Sequence, residues 1–78
     1  MMPVQAYVFI RALKGNANAV LRGVSRIKGV KSARMVTGRY DIVAFIEVES
    51  FEEIGKLVAS RIHRVRGVQS TETAVVTT

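Results

Sequence analysis

The sequence predicts a single α+β domain: a four-stranded antiparallel sheet with two helices on one face, pairing with a second copy through the other face. Three observations predict it. The chain is written twice, each copy carries one helical and two strand-like apolar patterns, and the central strands are apolar on both faces. A shift of 38 positions aligns Ala6-Tyr7-Val8-Phe9-Ile10 with Ala44-Phe45-Ile46-Glu47-Val48, and Val20, Val24 and Ile27 with Val58, Ile62 and Val65. The match runs on to Gly29-Val30-Lys31-Ser32 against Gly67-Val68-Gln69-Ser70. Each copy reads as strand, helix, strand, so two βαβ-type units stand back to back. With right-handed crossovers they interleave into a βαββαβ sheet of the ferredoxin-like kind, with central strands at about 4–11 and 40–49.

The elements follow in chain order. In the first strand Val4, Ala6, Val8 and Ile10 point one way and Tyr7 and Phe9 the other. The first helix rests on the stripe Ala17, Val20, Leu21, Val24 and Ile27, with Asn16 or Asn18 as its cap. Gly29 suits the exit from that helix into the second strand. Thr37-Gly38-Arg39-Tyr40 then reads as a tight hairpin needing positive φ at its first central residue. In the third strand Ile42, Ala44, Ile46 and Val48 oppose Val43 and Phe45. The second helix carries Phe51, Ile54, Leu57, Val58, Ile62 and Val65 on one stripe, and Ser50 with Glu53 has capping-box spacing. Glu52 and Lys56 add an exposed i,i+4 pair, and Gly67 opens the last strand.

Seventy-eight residues make one domain, 1–78, near the lower limit of independent stability, so help from a partner chain is expected. There is no cysteine for a disulfide or a thiolate metal site, and a reducing, cytoplasmic setting fits. No apolar run approaches the roughly 18–20 residues of a membrane helix. The start Met1-Met2-Pro3-Val4 has no secretory pattern, and the mature protein is expected to be the whole chain. Twelve basic residues against six acidic give +6, but the cations are spread over every segment without interleaved stacking aromatics. A solvated surface is the commoner use of such charge than a nucleic-acid footprint.

Two helices cover one face of a four-stranded sheet. Tyr7, Phe9, Val43, Phe45, Met35 and Val75 are expected on the other, a patch that a monomer would seldom leave in water. Two sheets packed face to face would bury it. A bulge that reverses the alternation is the competing reading.

Catalysis has little to work with. His63 is the only histidine and has no cysteine, serine and acid around it to assemble a nucleophile with its base, so an exposed helix histidine is the simpler account. Glu47, Glu49, Glu52 and Glu53 suit a helix N-terminus and lack the spacing of a metal loop. Gly38-Arg39-Tyr40-Asp41 sets turn amides beside a guanidinium, a phenol and a carboxylate, which suits a zwitterion: Arg39 or the amides for an α-carboxylate, Asp41 for an α-ammonium. An ordinary hairpin with a solvated Arg-Asp pair uses the same residues. Thr71 and Thr73 share a face of the last strand and offer hydroxyls toward an opposite chain, although threonine also simply favours strands.

The run Val36-Thr37-Gly38-Arg39-Tyr40-Asp41-Ile42-Val43, preceded by Gly29-Val30 and followed by Gly67-Val68-Gln69-Ser70-Thr71-Glu72-Thr73-Ala74-Val75-Val76, resembles the regulatory (RAM) domain of the Lrp/AsnC family of feast/famine transcription regulators. The likeness covers essentially the whole chain. It implies a βαββαβ fold, dimers with facing sheets (a dimeric α+β barrel), assembly of dimers into rings, and amino-acid effectors bound between dimers. Carried over by position, the ligand-binding residues would be Gly38, Arg39, Tyr40 and Asp41, with Thr71 and Thr73 as further candidates. Full-length regulators of this kind carry an N-terminal helix-turn-helix domain, whereas this chain begins at the first strand. A stand-alone, non-enzymatic module is expected, without cofactor, metal, membrane or direct DNA binding, and co-assembling with full-length regulators. A dimeric α+β-barrel enzyme, an RNA-binding module and a purely structural interaction module are the competing classes.

Overall fold

The computed structural model describes residues 3–78; the chain start Met1-Met2, read above for a signal, lies outside the described residues. Strand β1 (Val4–Ala12), helix α1 (Ala17–Ser25), β2 (Val30–Met35), β3 (Ile42–Val48), helix α2 (Phe51–Leu57) and β4 (Val68–Val75) follow in the expected order, and α2 runs on through a π-helical turn, Val58–Ile62. The sheet order is β2-β3-β1-β4 with every neighbouring pair antiparallel. The two most apolar strands are therefore the central ones.

The alternation is as read from the sequence. Ala6, Val8 and Ile10 of β1 and Ile42, Ala44 and Ile46 of β3 are fully buried beneath the helices, where they meet Val20, Val24, Ile54, Leu57 and Ile62. Each fully buried isoleucine contributes about 1.5–3 kcal/mol by leaving water. Phe51 departs from its expected stripe and stands 68% exposed at the first turn of α2. Leu57 and Ile62 are five apart and both reach the core; in an α-helix that step would swing the second side chain about 140° away. The π turn, marked by His63 N–H donating to Val58 O at 3.0 Å, widens the coil and brings Ile62 back inward.

Capping differs in detail from the sequence reading. Asn16 is the N-cap of α1 but makes no side-chain cap bond. At α2, Ser50 makes none either, and the Glu53 carboxylate accepts the N–H of Glu49 at 2.9 Å, one residue before the cap. Ser50 is fully extended (φ −142°), which leaves the amide of Glu49 as the donor within the carboxylate's reach.

Gly67 shows why the two halves must agree. Its φ is +102°, and a Cβ there would stand 2.9 Å from Cβ of Asn16 and 3.0 Å from Cγ2 of Val20 on the other half's helix. A side chain is excluded twice over, by backbone conformation and by space.

Candidate functional site

The loop 36–41 joins β2 to β3 and is wider than the tight hairpin expected. Val36 N–H donates to Asp41 O at 2.9 Å, so four residues, not two, lie between the closing pair, and β3 begins at Ile42. Gly38 has the positive φ anticipated, +103°, with open space where a Cβ would be. The reason for the wider loop is tertiary. Asp41 is committed to β1: its N–H donates to Ile10 O at 2.9 Å and its Oδ2 accepts Ala12 N–H at 2.8 Å, where the β1–β4 register slips between Arg11 and Ala12. A two-residue turn would pull that carboxylate away from the irregularity it satisfies.

Tyr40 leaves the loop toward the helix-free face of the sheet. Its ring packs against Phe9 (centroids 5.6 Å apart, planes at 42°), and its hydroxyl donates to Oε1 of Glu72 on β4. The phenol is held above its usual pKa, first by that hydrogen bond, then by burial and the Glu72 charge, against the pull of Arg39 and Arg11. Gly38 and Arg39 are exposed at the rim. The loop is thus pinned at its end by Asp41 and across the sheet by Tyr40, and it carries the exposed Arg39 guanidinium on that fixed frame.

Thr71 and Thr73 do not join this cluster. They lie opposite Ile10 and Val8 in the ladder, and paired residues share a face, so both point to the helix side, while Glu72, opposite Phe9, points to the open side. Thr71 Oγ1 stands 2.9 Å from Nε2 of His63, the residue that follows the π turn. Of the six residues singled out in the sequence, Gly38, Arg39, Tyr40 and Asp41 share one loop; the two threonines share the opposite face. Glu72 is a site residue that the sequence does not single out. The period-2 alternation of Thr71-Glu72-Thr73 separates it from its neighbours, but only the strand order puts it across from Tyr40.

The helix-free face carries the apolar patch in a smaller form. Tyr7, 43% exposed, lies against Phe45 with ring centroids 5.1 Å apart, and Phe9 and Val43 continue the patch. Met35 and Val75 are not part of it. They pair with Ile42 and Ala6, both fully buried under the helices, and so belong to the helix side. Among the described residues no group of His, Asp and Glu is arranged to hold a metal, and no helix is long and apolar enough to cross a membrane.

Comparisons with known proteins point to one family. The family model for the Lrp/AsnC ligand binding domain matches residues 5–78. An uncharacterized HTH-type transcriptional regulator of Pyrococcus horikoshii is 34% identical over 56 residues, 72% of this chain and 37% of that protein. The crystal structure of TTHA0845 from Thermus thermophilus superposes with a TM-score of 0.91 at 29% identity, covering 96% of this chain and 94% of that one. A Neisseria meningitidis transcriptional regulator, NMB0573, solved as an L-Met complex, shares the fold at a TM-score of 0.86 and 19% identity, over 96% of this chain and 50% of its own. The chain spans less than half the length of the curated relatives it matches.

Proposed function

This chain belongs to the Lrp/AsnC ligand-binding domain family, and on that premise we propose that it is a non-enzymatic module that binds an amino acid at the 36–41 loop and assembles through the open face of its sheet. The observation that carries this reading is the pinned loop. Asp41 and Tyr40 anchor it, so that Arg39, the Gly38 backbone and the free oxygen of Asp41 are presented with little ordering left to do on binding. Arg39 suits an α-carboxylate, and Asp41 suits an α-ammonium.

Thr71 and Thr73 enter such a site only when another protomer supplies them, since within one protomer they lie across the sheet from Tyr40 and Glu72. Assembly of dimers into rings is the arrangement that would do so. The Tyr7, Phe9, Val43 and Phe45 face is where a second copy packs, and Tyr40 belongs to both loop and face, which ties occupancy to assembly. Relatives that are HTH-type transcriptional regulators support a role without catalysis, and His63, engaged with Thr71, has no acid partner among its hydrogen bonds. Partnership with full-length regulators in the cytoplasm completes the proposal.

The test is thermal stability and assembly size of the purified protein with each of the twenty amino acids, since a ligand that binds only the folded state raises Tm by mass action. A rise with a few amino acids is expected. No rise with any of them, from a protein that still assembles, overturns the effector reading and leaves an interaction module.

A further inference from the structure

A concave surface lies on the helix layer, at the end of the sheet away from the 36–41 loop. An open groove of about 630 Å³ runs beside α2, floored by Val48 and Leu57. It shares Ser60 and Arg61 with an adjoining cleft that adds Arg64, Ile27 and Val65. The cations come from two separate segments: Lys28 and Lys31 from the α1–β2 connection and the start of β2, Lys56, Arg61 and Arg64 from α2 and the turn after it.

The lining is uneven in charge that is free to act. Glu47 accepts from Gln5 Nε2 at 2.9 Å and stands 4.0 Å from Lys31 Nζ, the one ion pair among the described residues. Glu53 is engaged by the Glu49 amide. Among the described residues Lys28, Lys56, Arg61 and Arg64 have no carboxylate within ion-pair distance, while Glu49 and Glu53 keep their charge at the other end of the groove. The acids sit at the α2 N-terminus and the arginines about 12 Å further along the axis, at 1.5 Å per residue. The π turn sits at the junction; it sets Ser60 and Arg61 on the groove while turning Ile62 inward. Such insertions recur at functional sites.

We propose that this groove binds a small polyphosphate ligand of the nucleoside diphosphate or triphosphate class. The phosphates lie among Lys28, Lys56, Arg61 and Arg64, whose ammonium and guanidinium groups make charge-assisted bonds to phosphate oxygens. The apolar floor takes the flat base, and Glu49 accepts from a sugar hydroxyl or an exocyclic amine. A single phosphate would leave half of these cations unused, and a zwitterionic amino acid would leave more. The site does not depend on the effector reading of the loop and remains open when the sheet face is covered.

The experiment is an amide chemical-shift titration of the full chain with ATP, inorganic tripolyphosphate, adenosine and a short DNA duplex, each against sodium chloride of matched ionic strength and without divalent metal. ATP at millimolar concentration is expected to shift the amides of Gly29, Ser60 and Arg61, tripolyphosphate to shift the same set more weakly, and adenosine to do little. Lys28→Ala with Arg61→Ala, both exposed and expected to fold, should weaken ATP by about tenfold or more, whereas Arg34→Ala on the opposite face should leave it unchanged. Absence of ATP shifts at these amides overturns the proposal. So does a duplex that, at equal phosphate concentration, shifts them as strongly as ATP, because the groove would then be a general polyanion surface.

Discussion

Asp41→Ala and Asp41→Asn together separate what Asp41 does for the fold from what it does for a ligand. The carboxylate accepts the amide of Ala12 at 2.8 Å, in a part-buried position where the β1–β4 ladder slips. Removing the acceptor strands that amide, which costs about 1–3 kcal/mol when fully buried; for this half-buried site about 1.5 kcal/mol is expected. For a domain of this size 1 kcal/mol moves Tm by about 4–8 °C, so Asp41→Ala should melt about 6–12 °C below wild type at equal protein concentration. Asp41→Asn keeps an oxygen on the Ala12 amide and should lose only about 0.5 kcal/mol, or about 2–4 °C. The amino-acid-induced rise in Tm should disappear in both, because neither retains the charge that holds an α-ammonium. Circular dichroism melts with and without the responsive amino acid read all four values. If Asp41→Ala melts within about 2 °C of wild type, the Asp41–Ala12 hydrogen bond is not a structural tie. If Asp41→Asn keeps the full ligand response, the carboxylate is not the ammonium site.

Three further outcomes follow from particular contacts. Tyr40 holds its proton more tightly in the folded state than in the unfolded chain, so its contribution to stability is complete below the ordinary tyrosine pKa near 10 and fades as pH rises through the higher folded value. In an absorbance titration, one tyrosinate step should stand above that value and fall back in Glu72→Ala; no change in the variant would refute the Tyr40–Glu72 link. Phe45→Lys places an ammonium against Tyr7 in the middle of the open face, and loss of apolar burial worth about 1.5–3 kcal/mol per side chain in each copy should raise the dimer dissociation constant at least about 100-fold. An unchanged sedimentation profile would show that assembly uses another surface. Gly67→Ala meets Asn16 and Val20 at a φ of +102° and should cost about 2–4 kcal/mol, whereas Gly38→Ala, with open space at φ +103°, should cost about 1–2 kcal/mol; urea midpoints of equal size for the two would contradict the steric part of the account.

What the sequence determined by itself was everything carried by local period and by repetition. The shift of 38 residues, the alternation of β1 and β3 and the helical stripes specified the element order, the central strands and the buried side of the sheet, because a 2.0 or 3.6 residue period survives without knowledge of neighbours. Gly38, Gly29 and Gly67 at positive φ were legible for the same reason: the demand for glycine is a property of one residue's backbone. What required the tertiary structure was every statement about which residues from distant segments share a face. Met35 and Val75 moved to the helix side, and Thr71 and Thr73 parted from the loop, because their orientation depends on the register against β3 and β1 and not on their own strand alone. The wider loop and the Asp41–Ala12 and Tyr40–Glu72 bonds join residues 29 and 32 positions apart, and the π turn answers to where Ile62 must pack. Contacts of that range are selected by the closing of the whole sheet, and no local pattern records them.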